Sequence, residues 1–140
     1  YRFFEEALLL VSKKYSDKVK IKITYNLPYN EYIEQIKSCD ILLDTIYAFD
    51  QGYNALEAMA RGKVVFTGAE KEFITHYNIK KPVNVNALPN SQRIFEDIEK
   101  LILNPNEIEE IGREARRFIE EEHDHIMIAK KYLSTWKLYL

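Results

Sequence analysis

Three of the chain's four glycines, Gly52, Gly62 and Gly68, fall in or beside one stretch, Asp50 to Gly68. Two short apolar runs rich in branched residues bracket it: Asp40 to Ile46 (DILLDTI) and Lys63 to Thr67 (KVVFT). Between them, GYNALEAMARG reads as a helix from Asn54 to Arg61 that Gly62 stops. In open parallel sheets, ligands gather where strands end and helix N-termini point into the crevice. Gly52 sits at such a junction, where a glycine lets the backbone approach a ligand. The first free N–H groups of the helix, near Tyr53 to Leu56, are suited to an anion such as a diphosphate. Glu57 follows within the first helical turn and could accept both hydroxyls of a ribose. The same residues read equally as a capping box, with Asn54 as cap and Glu57 returning to its backbone. Neither GxGxxG nor a P-loop is present.

Other residues of chemical interest carry less. His123-Asp124-His125 suggests metal ligands, but residues two apart on a helix do not share a face, and Asp124 suits a cap before Ile126. No metal site is expected. Asp40 and Asp44 bracket a strand, which suggests the acidic pocket of a receiver-like signalling domain, yet no companion lysine strand follows. Tyr47 and Tyr53 flank the proposed site, whereas Tyr15, Tyr25, Tyr32 and Tyr132 fall at core-facing positions. Arg113, Arg116 and Arg117 sit among glutamates as a solvated helix face. Cys39 precedes a strand and reads as inert packing.

The elements that must hold this stretch alternate. Residues 2–15 form a helix with Phe4, Leu8, Val11 and Tyr15 on one face. Lys18 to Tyr25 alternates in period two and predicts a half-exposed strand. Leu27-Pro28 breaks it, and Glu31 to Ser38 predicts a short helix with Tyr32, Ile33 and Ile36 inward. A helix over Glu70 to Tyr77 leads to a weak strand near Pro82 to Val85. Three amphipathic stripes follow: Ile94 to Ile102, Ile108 to Ile119, and Ile126, Ala129, Leu133 and Trp136, with Asn104-Pro105 between the first two. Strand–helix alternation to about residue 85, then a helical tail, predicts an α/β fold with a Rossmann-like parallel sheet flanked by helices.

Composition bounds the partners. The 20 basic and 22 acidic residues are spread along the chain, so no basic block points to nucleic acid. A single cysteine excludes an internal disulfide and fits a reducing, cytoplasmic setting. No apolar run has the length of a membrane span. Tyr1 falls inside the first helical pattern with no start methionine and no cap before it. The expectation is therefore one domain, residues 1–140, cut from a longer two-domain protein.

The run CDILLDTIYAFDQGYNALEAMARGKVVFTG resembles the donor-site core of the group 1 (family 4) retaining glycosyltransferases of the GT-B fold. That core reads as a strand, a loop, a glutamate-Gly-Phe-Gly, a LEAMA helix and a Pro-Val-Ile strand. Leu56 to Ala60 matches the helix outright; Gly62, Val64 and Val65 keep their spacing, and Lys63 replaces the proline. The charged helical tail to Trp136 is also typical of the family, so the likeness covers nearly the whole chain. The resemblance implies the C-terminal, donor-binding half of a GT-B enzyme that transfers a hexose from a nucleotide-diphosphate sugar to a glycan, lipid or other acceptor. It assigns Glu57 to the ribose, Gly52, Tyr53 and Asn54 to the diphosphate and sugar, and Leu27, Pro28 and Tyr29 to the neighbourhood of the base. The first glutamate of the family's pair falls on Phe49, which cannot accept a sugar hydroxyl; Asp50 could substitute if the loop shifts, with Gln51 as a weaker option. The resemblance places the basic pair for the diphosphate ahead of Tyr1 and the acceptor site in an N-terminal domain, so the fragment alone should not turn over. It implies no cofactor and no obligatory metal, and leaves peripheral membrane association open for the full protein. A nucleotide-binding, non-catalytic partner module is the alternative.

Overall fold

Val64 to Thr67 forms β2, the middle strand of a three-stranded parallel sheet, and all four of its residues are buried. The computed structural model describes residues 2–138; Tyr1, and with it the expectation about the helix's first residue, lies outside them. β1 (Ile41–Leu43) pairs with β2 in the register Ile41 to Val64 and Leu43 to Phe66. β3 (Val85–Asn86) pairs on the other side, Phe66 to Val85. A strand with neighbours on both edges and helices on both faces has no solvent-facing side, so an unbroken apolar run suits it.

The pleat divides β2 between two cores. Val64 and Phe66 pack with α1 (Arg2–Tyr15), α5 (Ser91–Leu103) and the first half of α6 (Pro105–Glu122). Val65 packs with α2 (Tyr29–Ser38), α3 (Tyr53–Ala60), α4 (Lys71–His76) and the second half of α6. Ala55 and Ala58 on α3 are fully buried, which lets that helix lie close to the sheet and α6. Gly62 ends α3 in the left-handed region, φ 70°, where a side chain would be strained. Gly112 of α6 crosses directly over it: a Cβ at 112 would come within 2.2 Å of the Gly62 carbonyl oxygen.

The expected parallel α/β sheet flanked by helices is present, with four corrections. Lys18 to Tyr25 is not a strand; among the described residues, 20–25 make no backbone–backbone hydrogen bond, so the alternation lacks a ladder partner. The run 40–46 pairs only over Ile41–Leu43 before turning into a loop that still buries Ile46. The weak third strand lies at Val85–Asn86 rather than from Pro82. The last stripe does form α7 (His125–Lys137), capped by Asp124 at the Met127 N–H, 2.9 Å away, but the helix buries none of its residues. Ile126, Leu133 and Trp136 are exposed, and so are Tyr25 and Tyr132, expected in the core. Amphipathic period forms a helix without deciding whether a second element covers its apolar side.

Candidate functional site

The loop that leaves the carboxyl end of β1 leads to the N-terminus of α3, which precedes β2. Gly52 is the N-cap, and no side chain caps the helix. The Leu56 N–H already bonds to Gly52 O at 3.0 Å, and among the described residues the N–H groups of Tyr53, Asn54 and Ala55 in the first turn have no partner. Nothing lies within 4 Å of where a Gly52 Cβ would stand, and its φ of −83° is open to any residue. The fold itself makes no demand for glycine here. Tyr53 beside it is 91% exposed.

The capping box does not form. Helix α3 begins at Tyr53, so Asn54 is its second residue and Glu57 its fifth, beyond the first turn. The Asn54 side chain instead acts on Asp44, whose carboxyl it pulls down. Thr67 Oγ1 also donates to Asp44 Oδ2, at 3.3 Å. That bond ties the end of β2 to the residue that follows β1. Burial pushes the Asp44 carboxyl up from its ordinary value, against the opposing pull of Thr67 and Asn54.

Glu57 turns sideways towards the start of α2. Tyr29 Oη donates to Glu57 Oε1 at 2.6 Å, and Arg61 Nη2 stands 3.4 Å from the same oxygen. Arg61 Nη1 also donates to the Glu57 carbonyl at 2.9 Å, which holds the guanidinium in place. The bond to Glu57 raises the Tyr29 hydroxyl above its ordinary value. Tyr32, next along α2, is pushed up to about 12 by burial and then by the charges of Glu57 and Asp44; its hydroxyl has no partner among the described residues. Pro28 is the N-cap residue of α2 and Leu27 is half-buried before it, so both stand at the edge where Tyr29 reaches Glu57.

The loop from Asp44 to Gly52 is pinned from below. Gly68 lies so close under it that a Cβ would meet Ala48 O at 1.9 Å. Gln51 Nε2 donates to Gly68 O at 2.9 Å, and the Gln51 N–H donates to Asp50 Oδ1 at 2.7 Å. Asp50 belongs to a different neighbourhood from Glu57: its charge acts on Tyr77 and His123, whereas that of Glu57 acts on Tyr29 and Tyr32. The structure thus sets Gly52, Tyr53, Asn54 and Glu57 on one helix end that Tyr29 joins to the segment after Leu27 and Pro28, and places Asp50 and Gln51 on the loop, with Asp50 Oδ1 and Gln51 Nε2 bonded to backbone. Phe49 and Tyr47 point outward.

Sequence reasoning missed Asp44, Thr67 and Arg61 as parts of the site. The signal for Asp44 and Thr67 was a polar residue ending each apolar run; for Arg61 it was the four-residue spacing from Glu57. His123 stacks edge-on with Phe118 and tilted against Tyr77, while His125 is exposed. Among the described residues no group of three or more metal-ligating side chains converges, and no helix is long and apolar enough to cross a membrane.

A family model described as glycosyl transferase-like matches residues 2–134. No curated protein and no solved structure matches the chain.

Proposed function

We propose that this chain, which belongs to the glycosyl transferase-like family, is the donor-binding half of a retaining glycosyltransferase that takes a hexose from a nucleotide-diphosphate sugar. The observation that carries this reading is the sideways set of Glu57. Tyr29 and Arg61 hold its Oε1 to the side of α3, instead of its folding back as a cap on the helix whose first turn is left open. A carboxylate offers about four acceptor positions, so Oε2 remains for the two hydroxyls of a ribose. The diphosphate would lie against the N–H groups of Tyr53, Asn54 and Ala55, where helix dipole and free donors favour an anion. The base would lie towards Leu27, Pro28 and Tyr29, and the sugar towards Asp50 and Gln51. No cofactor or obligatory metal enters this reading; acceptor binding, to a glycan or lipid, would fall to a separate domain.

Phe49 favours a second reading. It is 73% exposed on the loop, where the family's first glutamate is expected, and Asp50 beside it accepts from a backbone N–H. A chain that binds nucleotide but has lost the sugar contact would serve as a non-catalytic partner. Calorimetric titration with UDP, GDP and their hexose conjugates tests both. The transferase reading expects the hexose to add affinity, the partner reading expects equal affinity for diphosphate and conjugate, and no binding of any of these ligands removes both.

A further inference from the structure

Tyr29 and Tyr32 stand three residues apart on α2 and so share one face of the helix; their ring centroids lie 6.4 Å apart. Their hydroxyls differ. That of Tyr29 is bonded to Glu57 at 2.6 Å, and that of the buried Tyr15, elsewhere in the fold, to Glu99 at 2.7 Å. Tyr32 packs its ring on the Val65 core, and its hydroxyl is shut away from solvent with no partner among the described residues. A buried polar group without a hydrogen bond lowers stability. Phenylalanine would fill the same space without that loss, so the hydroxyl serves something other than packing.

The surroundings say what kind of atom it suits. The charges of Glu57 and Asp44 both act on the Tyr32 hydroxyl, and Asp44 lines the hollow beside β1 together with Tyr32. Two carboxylates accept hydrogen bonds and repel anions, so a phosphate oxygen is a poor partner here. Arg61, the cation nearby, is already paired with Glu57. An ammonium group could donate to the carboxylates but could accept nothing from the tyrosine. A ligand hydroxyl does both, accepting from Tyr32 and donating to a carboxylate. We infer that Tyr32 is a specificity-determining residue, its hydroxyl donating to one of the two ribose hydroxyls that bond to Glu57. This contact rests on the nucleotide reading and gives the site a reason to prefer a ribonucleotide to a deoxyribonucleotide. A site built to bond a hydroxyl rejects an analogue that lacks it, because its own polar group is then left without a partner.

Calorimetric titration of the native protein and of Tyr32→Phe tests it, with whichever of UDP and GDP binds more tightly and with the 2′-deoxy and 3′-deoxy forms of that nucleotide. The Phe variant is expected to bind the ribonucleotide about fivefold more weakly or worse, the scale of one lost hydrogen bond. It should bind one of the two deoxy forms as the native protein does. Its Tm should equal or exceed the native value, because an unbonded hydroxyl leaves with the substitution. A Phe variant that binds the ribonucleotide as tightly as the native protein overturns the inference and leaves the nucleotide reading standing. Equal losses with all three nucleotides overturn it as well, since the effect then lies in packing. So does a variant that unfolds or melts early, because the fold then uses the hydroxyl. A native protein that binds none of these nucleotides removes both readings. A check without substitution follows the ring carbon that bears the Tyr32 hydroxyl by NMR. It should move clearly further with the ribonucleotide than with one of the two deoxy forms, and equal movement with all three contradicts the contact.

Discussion

The Tyr29 hydroxyl donates to Glu57 Oε1 across 2.6 Å and so joins the first residue of α2 to the middle of α3, 28 residues on. The contact has a spectroscopic consequence. Its bond to the Glu57 carboxylate raises the Tyr29 hydroxyl above the ordinary tyrosine value of 10.0. In Glu57→Ala that titration, followed by NMR of the ring, should return towards the ordinary value while the other exposed tyrosines stay put. Tyr29→Phe should leave stability within about 0.5 kcal/mol, as exposed substitutions do, and weaken nucleotide binding severalfold by freeing the carboxylate to rotate.

Much of the site was legible in the sequence because its helix obeys local rules. LEAMA is built of strong helix formers, and Gly62 stops α3 where a left-handed residue is needed. The direction of Glu57 was not legible. Capping box and outward carboxylate share one spelling, and the choice depends on Tyr29 and Arg61, one of them distant in sequence. The Lys18 to Tyr25 strand failed for a related reason: period two reports a strand's faces but says nothing of the neighbour its edge requires. The exposed stripe of α7 is the helical counterpart.

Histidine 123 sets an acid limit on stability. Burial lowers its value below the ordinary 6.5, with the charges of Asp50 and Glu122 opposing. A depressed value means that the folded state holds the ring neutral while the unfolded chain protonates first. The stabilisation is thus complete above about pH 6.5 and is lost as pH falls through the lowered value. Chemical denaturation across pH 7 to 5 should show this loss in the native chain and a smaller one in His123→Phe.

Asp44 works in the opposite sense. Its carboxyl is raised above 3.8, chiefly by burial, so its stabilising contribution is present below that value and lost as pH rises through the folded one. Asp44→Asn should therefore be as stable as the native chain or more so at pH 7, and the difference between the two should vanish towards pH 3. Denaturation midpoints at the two pH values check it.

Gly112→Ala separates two opposed effects. Alanine in a helix interior gains up to about 1 kcal/mol over glycine. At this crossing its Cβ would stand 2.2 Å from Gly62 O, a backbone atom that cannot swing aside. Forced repacking of this kind costs about 1–3 kcal/mol, so the substitution should be destabilising, seen as a lower denaturant midpoint with an unchanged slope. A stabilised variant would mean that α6 and α3 do not meet here.

We propose above that the N-terminus of α3 and Glu57 hold a nucleoside diphosphate. The most direct measurement is a titration of the isotope-labelled chain with UDP and GDP, reading the backbone amides of Gly52 to Glu57, repeated on Glu57→Gln. Saturable shifts are expected at Tyr53, Asn54 and Ala55 with at least one of the two nucleotides. The Gln variant is expected to melt where the native chain does yet bind about tenfold more weakly or worse, the scale of losing charged hydrogen bonds to the ribose. Amides that stay still with both nucleotides, or a Gln variant that binds as tightly as the native chain, would contradict the proposal.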